Sequence, residues 1–199
     1  GYMKNYRREN TWFSLCGLNC SLCPMHNTEN GCPGCGGGEG HQSCAKIRCA
    51  IERKVGEFCF ECMEYPCEKY AGVSETDSFM TYLNIFKDAE YAKTNGIAEY
   101  KSIIDRKKAV LDKLLENYND GRRKSLFCTA VNLLDEESLY NAVLSIENQV
   151  KNDMPLKEKA AEAARIIKET AAEKGISLNL GAVNIIHNQL VGSPLHLQQ

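Results

Sequence analysis

The spacing of the cysteines near the start of the chain constrains the fold more than any other feature. Of the eleven cysteines in the 199 residues, all but Cys128 lie between Cys16 and Cys67. They are Cys16, Cys20, Cys23, Cys32, Cys35, Cys44, Cys49, Cys59, Cys62 and Cys67. Several pairs are separated by two residues, a spacing at which a tight turn directs two thiolates at one point, as tetrahedral zinc requires. We therefore predict an irregular, cysteine-rich metal-binding module over residues 14–72, with these ten cysteines as ligands.

Large aliphatic side chains are scarce in this segment, which supports the same interpretation. A segment that buries so little apolar area offsets its chain entropy only when it is cross-linked. The opening residues Tyr2–Arg8 are polar and do not resemble an export signal. We therefore expect a reducing, cytoplasmic location, in which metal is favoured over the disulfides of a secreted scaffold.

The number of ligands predicts two or three zinc ions. The ten cysteines together with His26 and His41 make twelve possible ligands, enough for three four-coordinate sites. Two sites of four thiolates each would use eight cysteines. One possible pairing joins the pair Cys32–Cys35 to the pair Cys59–Cys62. The spacing leaves open which cysteines share a metal and whether either histidine is a ligand.

An iron–sulfur cluster is the alternative cofactor. The spacing Cys16-x3-Cys20-x2-Cys23 is that of the cluster loop in radical S-adenosylmethionine enzymes. Those enzymes need a strand–helix barrel after the loop, whereas glycine-rich sequence and then helical patterns follow here. A simple cluster held by four of the ten cysteines stays open. It would make the protein a redox or electron-transfer protein.

After Tyr70 the apolar residues recur with a helical period, which predicts an α-helical bundle. An apolar helical face that starts at Phe79 predicts a helix that stops at Asn95-Gly96. The next apolar face predicts a second helix that stops at Asn119-Asp120-Gly121. Asp135 is expected to cap a further helix. The last helix is expected to have Pro155 in its first turn and Gly175 after its end.

These patterns predict a mainly α protein in two parts. The cysteine-rich module of residues 14–72 is followed by a helical domain of residues 75–180 and a tail of uncertain structure, residues 181–199. Within the helical domain, Ile176, Leu178 and Leu180 alternate as in one short strand.

Charge and composition exclude several functional classes. The net charge is −2 and the pI is about 6.1, so no general field attracts nucleic acid. No apolar run is long enough to span a membrane. No nucleophile–base pair stands out, and no thioredoxin-like strand and helix frame the Cys-x2-Cys pairs. The sequence therefore favours a zinc-binding protein without catalytic residues, whose metals support a surface for an unknown protein partner.

Several segments together resemble an uncharacterised cysteine-rich family of bacteria and archaea, catalogued as a domain of unknown function. Cys16–Pro24, with the sequence CGLNCSLCP, resembles its opening motif, and Phe58–Cys67 resembles its closing motif. Gly31–Cys35 and Cys44–Ala50 continue the match, and Asp120–Leu134 is similar to the helical half of longer members. The resemblance covers about residues 14 to 180. It implies zinc binding by the ten cysteines and no established enzymatic activity.

Overall fold

Six α-helices account for most of the regular structure in a computed structural model that describes residues 5–40, 44–73 and 77–179. The helices are α1 (Ala45–Arg53), α2 (Ile85–Asn95), α3 (Ile97–Tyr118), α4 (Lys124–Leu133), α5 (Glu136–Gln149) and α6 (Leu156–Glu173). Short 3₁₀ turns lie at Cys20–Leu22, Cys59–Glu61 and Glu68–Tyr70. Over these ranges the only β-type pairing is an isolated bridge between Arg7 and Gly37. The predicted mainly α fold is confirmed.

The helix ends follow the predicted stop signals, but α2 begins later than its apolar face suggested. Residues before Ile85 form turns, in which the Ile85 N–H donates to the Tyr82 carbonyl oxygen at 3.2 Å and the Leu83 N–H donates to Thr81 Oγ1 at 3.1 Å. The first helical turn suggested by Phe79 is therefore absent. Asp135 caps α5 as predicted.

The predicted short strand at residues 176–180 is wrong for the described residues 176–179, and Leu180 lies outside them. Gly175 has a φ of 69°, and the Ile176 N–H donates to the Ala171 carbonyl oxygen at 2.9 Å. This pattern closes the C-terminus of α6 with a left-handed glycine. The backbone donor that a strand would need is thus used to terminate the helix.

The described residues divide into two compact units. Those up to Tyr100 belong to the first unit, and Lys101–Asn179 form the second, so the division falls within α3. All ten clustered cysteines lie in the first unit. The predicted domain boundaries at residues 72 and 75 rest on composition and stay a prediction, as does the tail of residues 181–199, which lies outside the described residues.

The first unit has a small core in which aromatic rings carry much of the packing. The Phe13 ring lies 5.2 Å from the Phe58 ring and 4.8 Å from the Tyr100 ring, measured between centroids. A second cluster, of Leu15, Ile47 and Ala50, packs directly against cysteine side chains, those of Cys35 and Cys59. The cysteine segments therefore share this core and do not form a separate appendage.

The second unit is held by the apolar faces of its helices. Most of α4 is buried, including Phe127, Cys128 and Val131. On α6, alanines such as Ala160 and Ala163 are fully buried, and small side chains allow close helix packing. None of the helices in the described ranges combines the length and the apolar character needed to cross a bilayer.

Candidate metal centre

The clustered cysteines are free thiols, all of them within the described residues. All are partly buried except Cys44, which is exposed. As placed, no group of three or more His, Cys, Asp or Glu side chains in the described part of the chain could hold a metal ion. What the structure gives is the surroundings of each thiol: a shared cavity and hydrogen bonds to the sulfur atoms.

Two of the Cys-x2-Cys pairs form the same backbone turn. The Cys23 N–H donates to the Cys20 carbonyl oxygen at 3.1 Å, and the Cys62 N–H donates to the Cys59 carbonyl oxygen at 3.0 Å. Cys23 and Cys62 also share nearly the same dihedral angles, with φ of −76° and −78° and ψ of 137° and 138°. The short 3₁₀ turn keeps the two cysteines of each pair close along the chain, in agreement with the spacing.

Four of the cysteines line one cavity, which we call the four-cysteine cavity. They are Cys49 from α1, Cys59 and Cys62 from the second 3₁₀ turn, and Cys67 just before the third. The cavity has a volume of about 30 Å³. The grouping differs from the predicted pairing of Cys59–Cys62 with Cys32–Cys35, because α1 and the chain leading to Cys67 bring two other thiols to this turn.

Two lysines and two tyrosines also line the four-cysteine cavity: Lys46, Lys69, Tyr65 and Tyr70. Lys46 Nζ lies 4.7 Å from the centre of the Tyr70 ring, within the range of a cation–π interaction. The Tyr70 side chain is buried, and its hydroxyl lies beside the Cys59 sulfur and donates its single hydrogen to the Cys16 carbonyl oxygen at 3.2 Å. Burial raises the pKa of Cys59 to about 12, while the Tyr70 hydroxyl and the Lys46 charge act in the opposite direction.

Cys16, Cys20 and Cys35 make a second neighbourhood in which polar hydrogens face the sulfur atoms. The backbone N–H of Cys35 hydrogen-bonds to the Cys20 sulfur, and that of Leu15 hydrogen-bonds to the Cys35 sulfur. The hydroxyl oxygen of Ser14 lies 3.2 Å from Cys16 Sγ. Such hydrogen bonds stabilise a thiolate more than a thiol.

Burial nevertheless dominates the titration of these thiols. It raises the pKa of Cys16 and of Cys20, and it raises that of Cys35 to about 11. Thiols with raised pKa values stay protonated at neutral pH until a cation binds. A bound divalent cation deprotonates a coordinating thiol outright. Buried sulfurs that already accept N–H bonds therefore fit a metal ligand better than they fit a free reactive thiolate.

An unsatisfied hydroxyl provides an independent test of whether a metal fits the four-cysteine cavity. Tyr65 lines this cavity, and its hydroxyl oxygen is buried without a hydrogen-bond partner among the described residues. Burial raises the pKa of Tyr65, and a negative charge on Cys59 or Cys16 would raise it further. A metal-bound thiolate is an anionic acceptor that such a donor can use. The residues present therefore fit a thiolate-bound metal.

The other predicted ligands lie in less defined surroundings. The ring Nδ1 of His26 lies 2.7 Å from the Cys32 carbonyl oxygen, so one ring nitrogen is engaged with backbone. Cys44 caps α1, and its sulfur accepts the Ile47 N–H at 3.5 Å. His41 lies outside the described residues. The structure thus neither joins His26 to the four-cysteine cavity nor places His41.

Sequence reasoning missed Arg8, a buried residue that joins the cysteine-bearing segments. Its guanidinium donates from Nε to the Glu57 carbonyl oxygen at 2.9 Å and from Nη1 to the Cys35 carbonyl oxygen at 3.0 Å. The Glu57 carboxylate in turn accepts the backbone N–H of Asn10 at 2.7 Å. No local pattern marks Arg8, because its partners are distant in sequence.

Lys46, Tyr65 and Tyr70 were also missed. For Lys46, the available signal was its position one helical turn before Cys49, which could have indicated that the two side chains are neighbours.

Comparison with known proteins adds no assignment: no family model, no curated protein and no solved structure matches this chain.

Proposed function

We propose that the protein binds zinc through its N-terminal cysteines, and that two or three ions stabilise the fold of that region. The observation that carries the proposal is the four-cysteine cavity, which is lined by thiols from three separate segments. Four thiolates are a common ligand set of structural zinc. Because none of the described residues that line the cavity is a carboxylate, hard cations such as calcium or magnesium are poorer candidates.

An iron–sulfur cluster is the second candidate, since four cysteines are also its usual ligands. Colour separates the two candidates, because zinc with its filled d shell does not absorb visible light, whereas an iron–sulfur cluster absorbs broadly.

The proposed role of the metal is to support an interaction surface for a protein partner in the cytoplasm, where thiols stay reduced. Met63 follows Cys62 directly and is fully exposed at 101%, and Met25 follows the turn at Cys23 and is 42% exposed. Exposed methionines are adaptable contact residues at binding surfaces. Metal ligation at the neighbouring cysteines would hold these side chains in a defined position. The resemblance to a cysteine-rich family also stays part of this proposal.

Elemental analysis and a visible spectrum of anaerobically purified protein test the proposal. We expect two or three zinc ions per chain and no visible absorption. Broad visible absorption, together with iron and sulfide in the protein, would identify the cofactor as an iron–sulfur cluster and not zinc. Protein that neither contains metal nor takes up zinc after reduction would refute metal binding altogether.

Chelation provides a second test, because binding free energy at a structural site is also folding free energy. Removing zinc is expected to abolish the native fluorescence of Trp12, the single tryptophan of the chain, which lies in the first unit. The far-ultraviolet signal of helices α4–α6 should persist. Unchanged Trp12 fluorescence in fully metal-free protein would contradict a structural role.

A further inference from the structure

We propose that Cys49, Cys59, Cys62 and Cys67 bind one divalent metal ion as a centre of their own, with Lys46 as the positioning residue that balances its charge. The inference rests on the proposed zinc binding and names the ligands of one site within it. It departs from the pattern of the sequence, which suggested that Cys59–Cys62 would join another Cys-x2-Cys pair.

The ligands come from three segments that converge on the four-cysteine cavity. Cys49 lies on α1, and the Cys59–Cys62 turn is closed by a backbone hydrogen bond of 3.0 Å. The Cys59 N–H donates to the Leu15 carbonyl oxygen at 2.8 Å, which anchors the turn to the small apolar cluster around Leu15. Cys67 precedes the third 3₁₀ turn, whose Tyr70 N–H donates to the Cys67 carbonyl oxygen at 2.9 Å. Each ligand is therefore held by defined backbone contacts.

The charge of such a centre requires a positive partner. Binding of one divalent ion to four thiols releases four protons and leaves four thiolates around a charge of +2, so the centre carries a net charge of −2. Partly buried negative charge is costly unless cations or hydrogen-bond donors compensate it. The four-cysteine cavity must therefore contain such groups if it holds this centre.

Two lysines, Lys46 and Lys69, line the cavity, and Lys46 supplies the cation. It lies one helical turn before Cys49 on the same face of α1. Its ammonium group lies 4.7 Å from the Tyr70 ring centre, and its charge acts on Cys59 and Cys16. Within the described parts of the chain, no carboxylate lines the cavity to neutralise this charge.

Two tyrosines bring hydroxyl groups to the cavity. The Tyr70 hydroxyl lies beside the Cys59 sulfur but donates to the Cys16 carbonyl oxygen at 3.2 Å, whereas Tyr65 brings a buried hydroxyl that has no partner among the described residues. Groups that contact the ligands of a metal tune its affinity and are not spectators. Lys46 and the Tyr65 hydroxyl are therefore the groups from which a tetrathiolate centre at this cavity would draw compensation for its charge.

Titration with Co²⁺ and Zn²⁺ of the full-length chain, reduced and anaerobic, tests the ligand set. Cys49→Ala and Cys62→Ala should each bind one ion fewer than the wild type, with a matching loss of thiolate-to-cobalt charge-transfer absorption. Cys128→Ala, which removes a thiol from the second unit, should bind the full number. If Cys49→Ala and Cys62→Ala bind as many ions as the wild type with the same absorption, the ligand assignment is wrong.

The charge-balancing role of Lys46 is tested with all cysteines intact. This test can therefore be carried out even if a cysteine variant does not fold. Lys46→Gln should bind the same number of ions but lose about 10–100-fold in zinc affinity at one site, the range found for groups around a metal. Lys46→Arg should retain most of the affinity. The matched control is Arg48→Gln, which removes the same charge from an exposed position of α1 and should have no effect. Equal affinities for Lys46→Gln and Arg48→Gln would overturn the charge-balancing role.

The outcomes separate this inference from the proposed function. A wild-type chain that takes up no metal refutes both. A wild-type chain that binds metal while the Cys49 and Cys62 variants keep every ion refutes only the assignment of this centre. A shift of the cobalt absorption bands in Lys46→Gln would support direct electrostatic contact, because a merely structural effect on folding leaves the bands of the bound ion unchanged.

Discussion

Replacing Arg8 tests whether one buried guanidinium holds the cysteine-bearing segments together. The side chain is only 7% exposed, and besides the carbonyls of Glu57 and Cys35 it reaches that of Asn10, with an Nη1 to oxygen distance of 3.1 Å. Its guanidinium carbon also lies 5.1 Å from the centre of the Phe58 ring. Arg8 thus connects the start of the chain with the two segments that carry Cys35 and Cys59.

The magnitude follows from the three carbonyl groups that would lose their donor. Arg8→Met keeps an apolar stem of similar reach but removes every N–H. Each hydrogen bond contributes on the order of 1–1.5 kcal/mol net, so we expect the free energy of unfolding of the first unit to fall by about 3–5 kcal/mol. Arg8→Lys keeps the charge, but a lysine cannot donate to several acceptors in a fixed planar geometry, so its stability should lie between those of the wild type and Arg8→Met.

Urea unfolding followed by Trp12 fluorescence measures this loss, because Trp12 lies beside the same network and donates from Nε1 to Asn10 Oδ1 at 3.2 Å. Arg122→Met is the control, since Arg122 is an exposed arginine of the second unit and surface substitutions usually change stability by less than about 0.5 kcal/mol. A loss of less than about 1 kcal/mol in Arg8→Met would show that the bridging hydrogen bonds do not support the first unit.

Two further substitutions probe the local structure of each unit. Asp135→Ala should destabilise the second unit by about 1 kcal/mol in urea unfolding at pH 7, because its carboxylate accepts the Ser138 N–H at 2.8 Å and caps α5, whereas Asp135→Asn should be nearly neutral. The hydrogen bonds from Ser138 hold the pKa of Asp135 below its ordinary value. The stabilisation that the Asp135 carboxylate contributes is therefore complete above the unfolded pKa of about 3.9, and it is lost as the pH falls through the folded pKa. If the wild type were still more stable than Asp135→Ala at the lowest pH, this reasoning would be wrong. Gly34→Ala should cost clearly more than Gly121→Ala in thermal unfolding. Both glycines have a positive φ, 92° and 95°, which costs an alanine about 1–2 kcal/mol. Of the two, Gly34 alone would bring the new Cβ into collision with the Thr11 carbonyl oxygen. Equal losses of stability in the two variants would mean that the Gly34 loop moves away without cost.

The helices could be predicted from the sequence because their causes are local. The apolar period places α3 between the stop signals Asn95-Gly96 and Asn119-Asp120-Gly121, and the structure has it at Ile97–Tyr118. The side chain of Asp135 acts on an N–H three residues away, and Gly175 ends α6 through its own φ. The start of α2 was mispredicted because an apolar face at Phe79 does not reveal whether the preceding residues close turns of their own.

The candidate site could be predicted only in its parts. The two-residue spacing correctly implied tight turns at Cys20–Cys23 and Cys59–Cys62, since the hydrogen bond that makes each turn spans three residues. The spacing did not reveal that Cys49 and Cys67 line the same cavity as Cys59 and Cys62. Nor did it indicate Arg8, whose main partner Glu57 lies 49 residues away in the sequence.

The amino-acid sequence by itself determined where helices stop, where thiols occur in closely spaced pairs, and that the cysteine segment has few apolar side chains of its own. The tertiary structure alone decided which thiols share a cavity and which lysine and tyrosines face them. The physical reason is the sequence separation of the residues that interact. Turns, caps and helical faces depend on hydrogen bonds and side chains within a few residues, whereas the grouping of Cys49 with Cys67 depends on how α1 and the 3₁₀ turns pack around a common core.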